Sequence, residues 1–135
     1  MLVHLDTDFM VLALSRTGPE RERLVQLAES DAEIQVSAVA WYEFCRGPRT
    51  PDQLAVARSF FFADGVVPFS EEYAAMAADV FRLLGSPRRR AADVAIGVTA
   101  AAMGALLVTC NRRDFAGIPG LQVEHVVPDG PPPSV

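Results

Sequence analysis

Five short apolar runs, at residues 2–6, 34–36, 66–69, 105–109 and 121–127, alternate with longer segments of helical spacing, and this alternation constrains the chain most. Strands that alternate with helices predict a mainly parallel sheet with helices packed on both faces. The expected fold class is therefore α/β, a three-layer α/β/α arrangement. Such a sheet needs an apolar interior, and the chain supplies it, being 50% hydrophobic over 135 residues. That length suits one compact domain across 1–128, with the segment DGPPPSV at 129–135 read as a disordered tail. No internal repeat is present.

Local signals place the helices. LVHLD at 2–6 reads as a strand and TDFMVLALS at 7–15 as the helix after it. Gly18 and Pro19 break the chain before ERERLVQLAES, where Leu24, Leu27 and Ala28 form a narrow stripe on an otherwise charged surface helix. Ser37 is the expected N-cap of AVAWYEFCR, which Gly47 and Pro48 stop. A helix is expected within 52–63, and Ser70 caps another from Glu71 to about Leu84. Ser86 and Pro87 read as the N-cap and first-turn proline of a helix running to Met103. Residues 94–110 carry no charge but fall short of the roughly 20 residues of a membrane span, and Gly104 divides them into a buried helix and a buried strand.

Composition removes several chemistries. All 12 basic residues are arginine, so any mechanism that needs an ammonium group is excluded. The net charge of -5 argues against a broadly basic nucleic-acid surface, though not against a local arginine patch. Cys45 and Cys110 read as free thiols in a reducing cytoplasm, and Asp6 and Asp8 interrupt the start before a signal-peptide core can form. There is no zinc spacing, no GxxxxGK[ST] loop and no GxSxG elbow, and His4 and His125 are isolated.

Acidic residues carry the functional signal. Asp6 closes the first strand, where ligands of parallel sheets bind, although Asp6 or Thr7 would equally cap the next helix. Asp8 is either a further ligand or a first-turn acid favoured by the helix dipole. Glu43 lies six residues past Ser37, too deep for a capping box; it faces inward at a cost, or outward toward Arg46 or Arg49. Asp93 reads as well inside its helix, with Gly97 and Ala100 at spacings that clear bulk from its face, either for a ligand or for close packing. Asp114 follows Asn111 at the spacing of a local turn.

Gathered together, such carboxylates suit Mg²⁺ or Mn²⁺, hard ions that take oxygen ligands, and the matching chemistry is phosphodiester hydrolysis. Arg88, Arg89 and Arg90 precede Asp93, and Arg112 and Arg113 precede Asp114, so these five are candidate phosphate contacts or a solvated face. Trp41 and Tyr42 are either base-stacking or core aromatics.

LVHLDTDFMV, SAVAWYEFCRGP and RRRAADVAIGVTAAAMGALLVTCNRRDF resemble, in order and spacing, the PIN-domain ribonucleases, and most closely the VapC-type toxins of type II toxin–antitoxin pairs. The resemblance covers nearly the whole chain, with residues about 50–85 adding little. It implies a PIN-like fold, Mg²⁺-dependent RNA cleavage, a small cognate antitoxin, and a homodimer. It also implies that Asp6, Glu43, Asp93 and Asp114 are the catalytic and metal-binding acids, in that order. Thr109 and Asn111 match polar positions that orient the fourth acid or a metal-bound water; some relatives carry an acid at the position of Asn111.

Two other readings compete. A PIN-fold module without catalysis would bind a partner or RNA through the same surface. Asp6 and Asp8 also suggest an aspartate-based phosphatase or a phosphoacceptor domain, but Met10 stands where the phosphatase motif wants Thr or Val, and the receiver's lysine is missing.

Overall fold

The computed structural model describes residues 1–128; the expected tail at 129–135 lies outside them. Five strands form one parallel sheet: β1 (Leu2–Leu5), β2 (Glu33–Ser37), β3 (Val66–Val67), β4 (Leu106–Thr109) and β5 (Gln122–His125), in the order β3-β2-β1-β4-β5. Among the described residues six α-helices flank it: α1 (Thr7–Ser15), α2 (Pro19–Glu29), α3 (Ala38–Cys45), α4 (Pro51–Arg58), α5 (Glu71–Leu83) and α6 (Ala91–Ala102). The three-layer α/β/α expectation holds.

β1 and β4 lie in the middle of the sheet and are buried on both faces after their first residue, as expected for strands that read as unbroken apolar runs. The chain builds outward from β1 through β2 to β3, then returns to place β4 on the other side of β1. The strand order thus reverses between β1 and β4. In open α/β sheets ligands bind just beyond the carboxyl ends of the strands at such a point.

The caps follow the sequence closely in most places. The Asp6 carboxylate accepts from the Thr7 amide at 2.7 Å at the start of α1, Ser37 accepts from Ala40, and Ser70 accepts from Tyr73. Gly104, at φ +67°, ends α6 in the left-handed region, and β4 begins two residues later. Residues 94–100 are buried without exception, and no described helix is long and apolar enough to cross a membrane.

Several expectations need correction. Ser86 does not cap a helix: its backbone is left-handed, with φ 57°, and a 3₁₀ turn at Arg88–Arg90 precedes α6. α6 therefore starts at Ala91, and Asp93 stands in its first turn rather than deep within it. The ring of Pro87 fixes its own backbone but does not commit the next residues to α-geometry. α4 ends at Arg58, before the run of Ser59 and three phenylalanines, and β3 has only two residues because Pro68 has no amide for a ladder.

α2 is not merely a surface helix. Glu20 is fully buried, paired with Arg16 at 3.1 Å, while its Oε2 has no hydrogen-bond partner. Ala28 is exposed, so Leu24 and Leu27 alone anchor that helix by apolar burial, and Arg23 ties it to β5 through a two-pronged pair with Glu124 at 2.7 and 2.9 Å.

Candidate active site

A cleft of about 550 Å³ opens at the carboxyl ends of the central strands, lined by Asp6, Asp8, Glu43, Asp93 and Asp114 together with Thr7, Val11 and the segment Arg46, Gly47, Pro48 and Arg49. Four elements deliver the acids. Asp6 follows β1 directly, Glu43 lies on α3, Asp93 on the first turn of α6, and Asp114 on a 3₁₀ turn at Arg112–Phe115 after β4. All four acids expected from the resemblance share this one space.

Asp6 is the most constrained member. Its side chain is buried, one oxygen accepting from the Thr7 amide and the other from the Thr109 hydroxyl at 2.7 Å. Thr109 ends β4, so that bond crosses the point where the strand order reverses. Asp6 is thus both helix cap and cleft acid. Thr7 reaches the other way, its hydroxyl donating to Glu43 Oε1 at 2.9 Å and fixing α3 against α1. Glu43 also lies 3.7 Å from Arg46, the outward pairing anticipated from sequence, and so keeps both of its readings.

Asn111 and Thr109 do not bond the Asp114 side chain. Thr109 serves Asp6, and Asn111 donates from its amide nitrogen to Asp8 at 2.6 Å, while its backbone carbonyl accepts from the Asp114 amide at 3.0 Å. Asp114 lines the cleft and Asn111 does not.

Electrostatics mark the acids as a group. Burial pushes the Asp93 carboxyl up to about 7, and the negative charges of Asp6, Asp114, Glu43 and Asp8 add to the effect, in that order. Asp6 rises to about 6, again chiefly by burial and further through Asp8 and Glu43, against the opposing hydrogen bonds from Thr109 and Thr7. Both shifts express one fact: carboxylates have been brought together out of water with little positive charge among them.

A divalent cation fits this donor set. The lining offers hard carboxylate oxygens, and the raised Asp6 and Asp93 carboxyls lack the counter-charge that an ion would provide. Among the described residues no three Asp, Glu, His or Cys side chains close on a point tightly enough to hold an ion unaided.

The cysteines and histidines stand apart. Cys110 is buried and its thiol is pushed up to about 12, by burial first and then by Glu20, so it offers no thiolate near neutrality. His4 is fully buried, its Nε2 bonded to Gln35 at 3.0 Å, and burial lowers its pKa. His125 bonds the Cys110 carbonyl at 3.1 Å.

The basic residues in the cleft are not the ones the runs suggested. Arg88, Arg89, Arg112 and Arg113 are exposed and do not line it, and Arg90 is spent on backbone, donating to the Asp114 carbonyl at 3.0 Å and the Ala116 carbonyl at 2.6 Å. Arg46 and Arg49 line it instead. From sequence both stand only as partners for Glu43; the signal for more is their position just past the helix that carries it. Gly97 clears no ligand space either. A Cβ there would lie 2.6 Å from Ile118 and 3.3 Å from Phe115, so its role is close packing. Trp41 packs on Phe44 and Phe61 as a core aromatic, while Tyr42 is exposed beneath Arg46.

The PIN-domain model matches residues 3–121, which takes in every cleft acid. The chain belongs to the PIN-domain family. Several solved structures share this fold over nearly the full length. A chain of the VapBC2 complex of Rickettsia felis, bound to a promoter DNA fragment, is 22% identical with TM-score 0.72, covering 93% of this chain and 98% of that one. A chain of the DNA-bound VapBC of Salmonella typhimurium is 23% identical with TM-score 0.67, at 93% and 98% coverage. A toxin–antitoxin complex from Klebsiella pneumoniae contributes a third, at 24% identity, TM-score 0.66 and coverage of 88% and 94%. No curated protein matches the sequence.

Proposed function

We propose that this PIN-domain chain is a Mg²⁺-dependent endoribonuclease, the toxin of a type II toxin–antitoxin pair, with Asp6, Glu43, Asp93 and Asp114 as its catalytic, metal-holding acids. The observation that carries this reading is the convergence of these acids in one cleft, where burial first and the neighbouring acids second raise Asp93 to about 7 and Asp6 to about 6. Acids arranged for structure alone are normally paired with cations; here Glu43 has Arg46 at 3.7 Å, while Asp6, Asp93 and Asp114 have no ion-pair partner among the described residues.

Asp6, Asp93, Glu43 and Asp114 would hold the cation, which would polarise the scissile phosphoryl group and lower the pKa of a water so that it attacks as hydroxide. The protein's own part is orientation. Thr109 and the Thr7 amide fix both oxygens of Asp6, Thr7 fixes Glu43, and Arg90 holds the backbone that carries Asp114. Asn111 holds Asp8 at the mouth. Mn²⁺ is the expected substitute ion.

The toxin role and a small antitoxin partner are supported by likeness to the VapBC and other toxin–antitoxin complexes named above, and a cytoplasmic site of action and a homodimeric state are proposed with them. Incubation of purified protein with transfer and ribosomal RNA tests the activity. Cleavage that needs Mg²⁺, stops with a chelator and is lost in Asp6→Asn is expected. RNA binding without cleavage under every metal condition would leave a non-catalytic PIN module, and a phosphoaspartate formed from a phosphodonor would favour the phosphoacceptor reading.

A further inference from the structure

An acid-lined cleft repels the polyanion it is proposed to cut, so it needs a fixed positive group beside the acids. The lining contains two candidates, Arg46 and Arg49, and they are held in different ways. Arg46 is 59% exposed in its side chain, 3.7 Å from Glu43 and 5.3 Å from the centre of the Tyr42 ring. Its charge is already partly matched by Glu43.

Arg49 is pinned. Its Nη1 donates to the Phe44 carbonyl at 2.6 Å, and its guanidinium carbon lies 4.1 Å from the centre of the Phe44 ring. The fold-back is possible only because residue 47 is glycine: a Cβ there would sit 1.9 Å from Nη1 and 3.0 Å from the guanidinium carbon. Among the described residues Arg49 has no ion-pair partner. A guanidinium carries five N–H donors in a rigid fork, and the bond to Phe44 uses one. The side chain also lines an adjoining groove of about 360 Å³ with Val11, Leu14 and Val56, so it stands where the two depressions meet.

We infer that Arg49, seated over Gly47, is the phosphate-binding residue of the cleft and takes a backbone phosphate of single-stranded RNA at the lip of the acidic centre. This rests on the ribonuclease reading. A fork stacked on an aromatic ring and held at one nitrogen is already oriented, so the remaining donors bind a phosphate with little further ordering.

The test is RNA binding in an Asp93→Asn background without divalent metal, measured by fluorescence anisotropy with a short labelled single-stranded RNA across a series of monovalent salt concentrations. Losing one phosphate contact lowers the slope of log affinity against log salt by about 0.7. Arg49→Ala is expected to show that reduction and to bind roughly tenfold more weakly. Gly47→Ala, which keeps every charge but displaces the guanidinium, is expected to reproduce the weaker binding and carries the test if Arg49→Ala fails to fold. Arg49→Lys is expected to retain the slope and recover part of the affinity. An unchanged slope in Arg49→Ala, or a change confined to Arg46→Ala, overturns the assignment while leaving the ribonuclease reading intact. Wild-type protein that neither binds nor cuts RNA removes both.

Discussion

Asp93 sits where two demands on a residue conflict. The first turn of α6 favours an acid through the helix dipole, yet burial and four neighbouring acids push its carboxyl up to about 7. Above that pH and without a cation, the charged form costs folding energy. Asp93→Asn is therefore expected to abolish cleavage while raising the thermal midpoint of metal-free protein by a few degrees; calorimetric melting at alkaline pH reads it, and a lower midpoint would count against a repulsive cluster. Thr109 works in the opposite sense, since its hydroxyl bonds one Asp6 oxygen in the buried heart of the site. Thr109→Val is expected to weaken Mg²⁺ affinity about tenfold, in the range for groups that orient a metal ligand, as measured by metal titration. A value equal to wild type would assign Thr109 to packing alone.

The short elements before and after α6 explain how much of the site could be read at their scale. Strand-terminal Asp6, the Ser37 cap and the Gly104 stop were legible because each is written in a few adjacent residues. The start of α6 was not, because Ser86 and Pro87 have the composition of a cap but lie in a left-handed turn and a 3₁₀ approach. The runs Arg88–Arg90 and Arg112–Arg113 read as phosphate contacts or a solvated face, and Arg88, Arg89, Arg112 and Arg113 are exposed outside the cleft lining. Arg90 instead clamps the carbonyls of Asp114 and Ala116, coupling the approach to Asp93 with the turn that bears Asp114. Arg90→Ala is expected to cost about 1–2 kcal/mol in denaturant melts and to reduce cleavage more than binding. Gly97→Ala is expected to destabilise by roughly 1–3 kcal/mol, because the new methyl meets the buried Ile118 at 2.6 Å.

Across the whole molecule, one parallel sheet whose order reverses between β1 and β4 brings acids more than a hundred residues apart in sequence to one opening. The alternation of apolar runs and helices foretells the layers but not which segments meet over the opening, so Arg46 and Arg49, just past the Glu43 helix, do not read as cleft residues from sequence. The same gathering ties stability to pH. Asp6 and Asp93 have folded values near 6 and 7 against an ordinary value of 3.8, so the folded state binds more protons than the unfolded one between those limits. Metal-free protein should therefore lose stability as pH rises from about 4 through about 7, and Mg²⁺ should restore it, as thermal melts with and without chelator would record.

The central claim is that a divalent cation completes this acidic cleft. Titration calorimetry of metal-free protein with Mg²⁺ near pH 6, in two buffers of different ionisation enthalpy, addresses it directly. Carboxyls raised to about 6 and about 7 must give up protons when the ion binds, so about one proton or more should be released per ion, with binding lost in Asp93→Asn. Absence of binding, or binding that releases no proton and survives Asp93→Asn, would contradict a metal centre built from these acids.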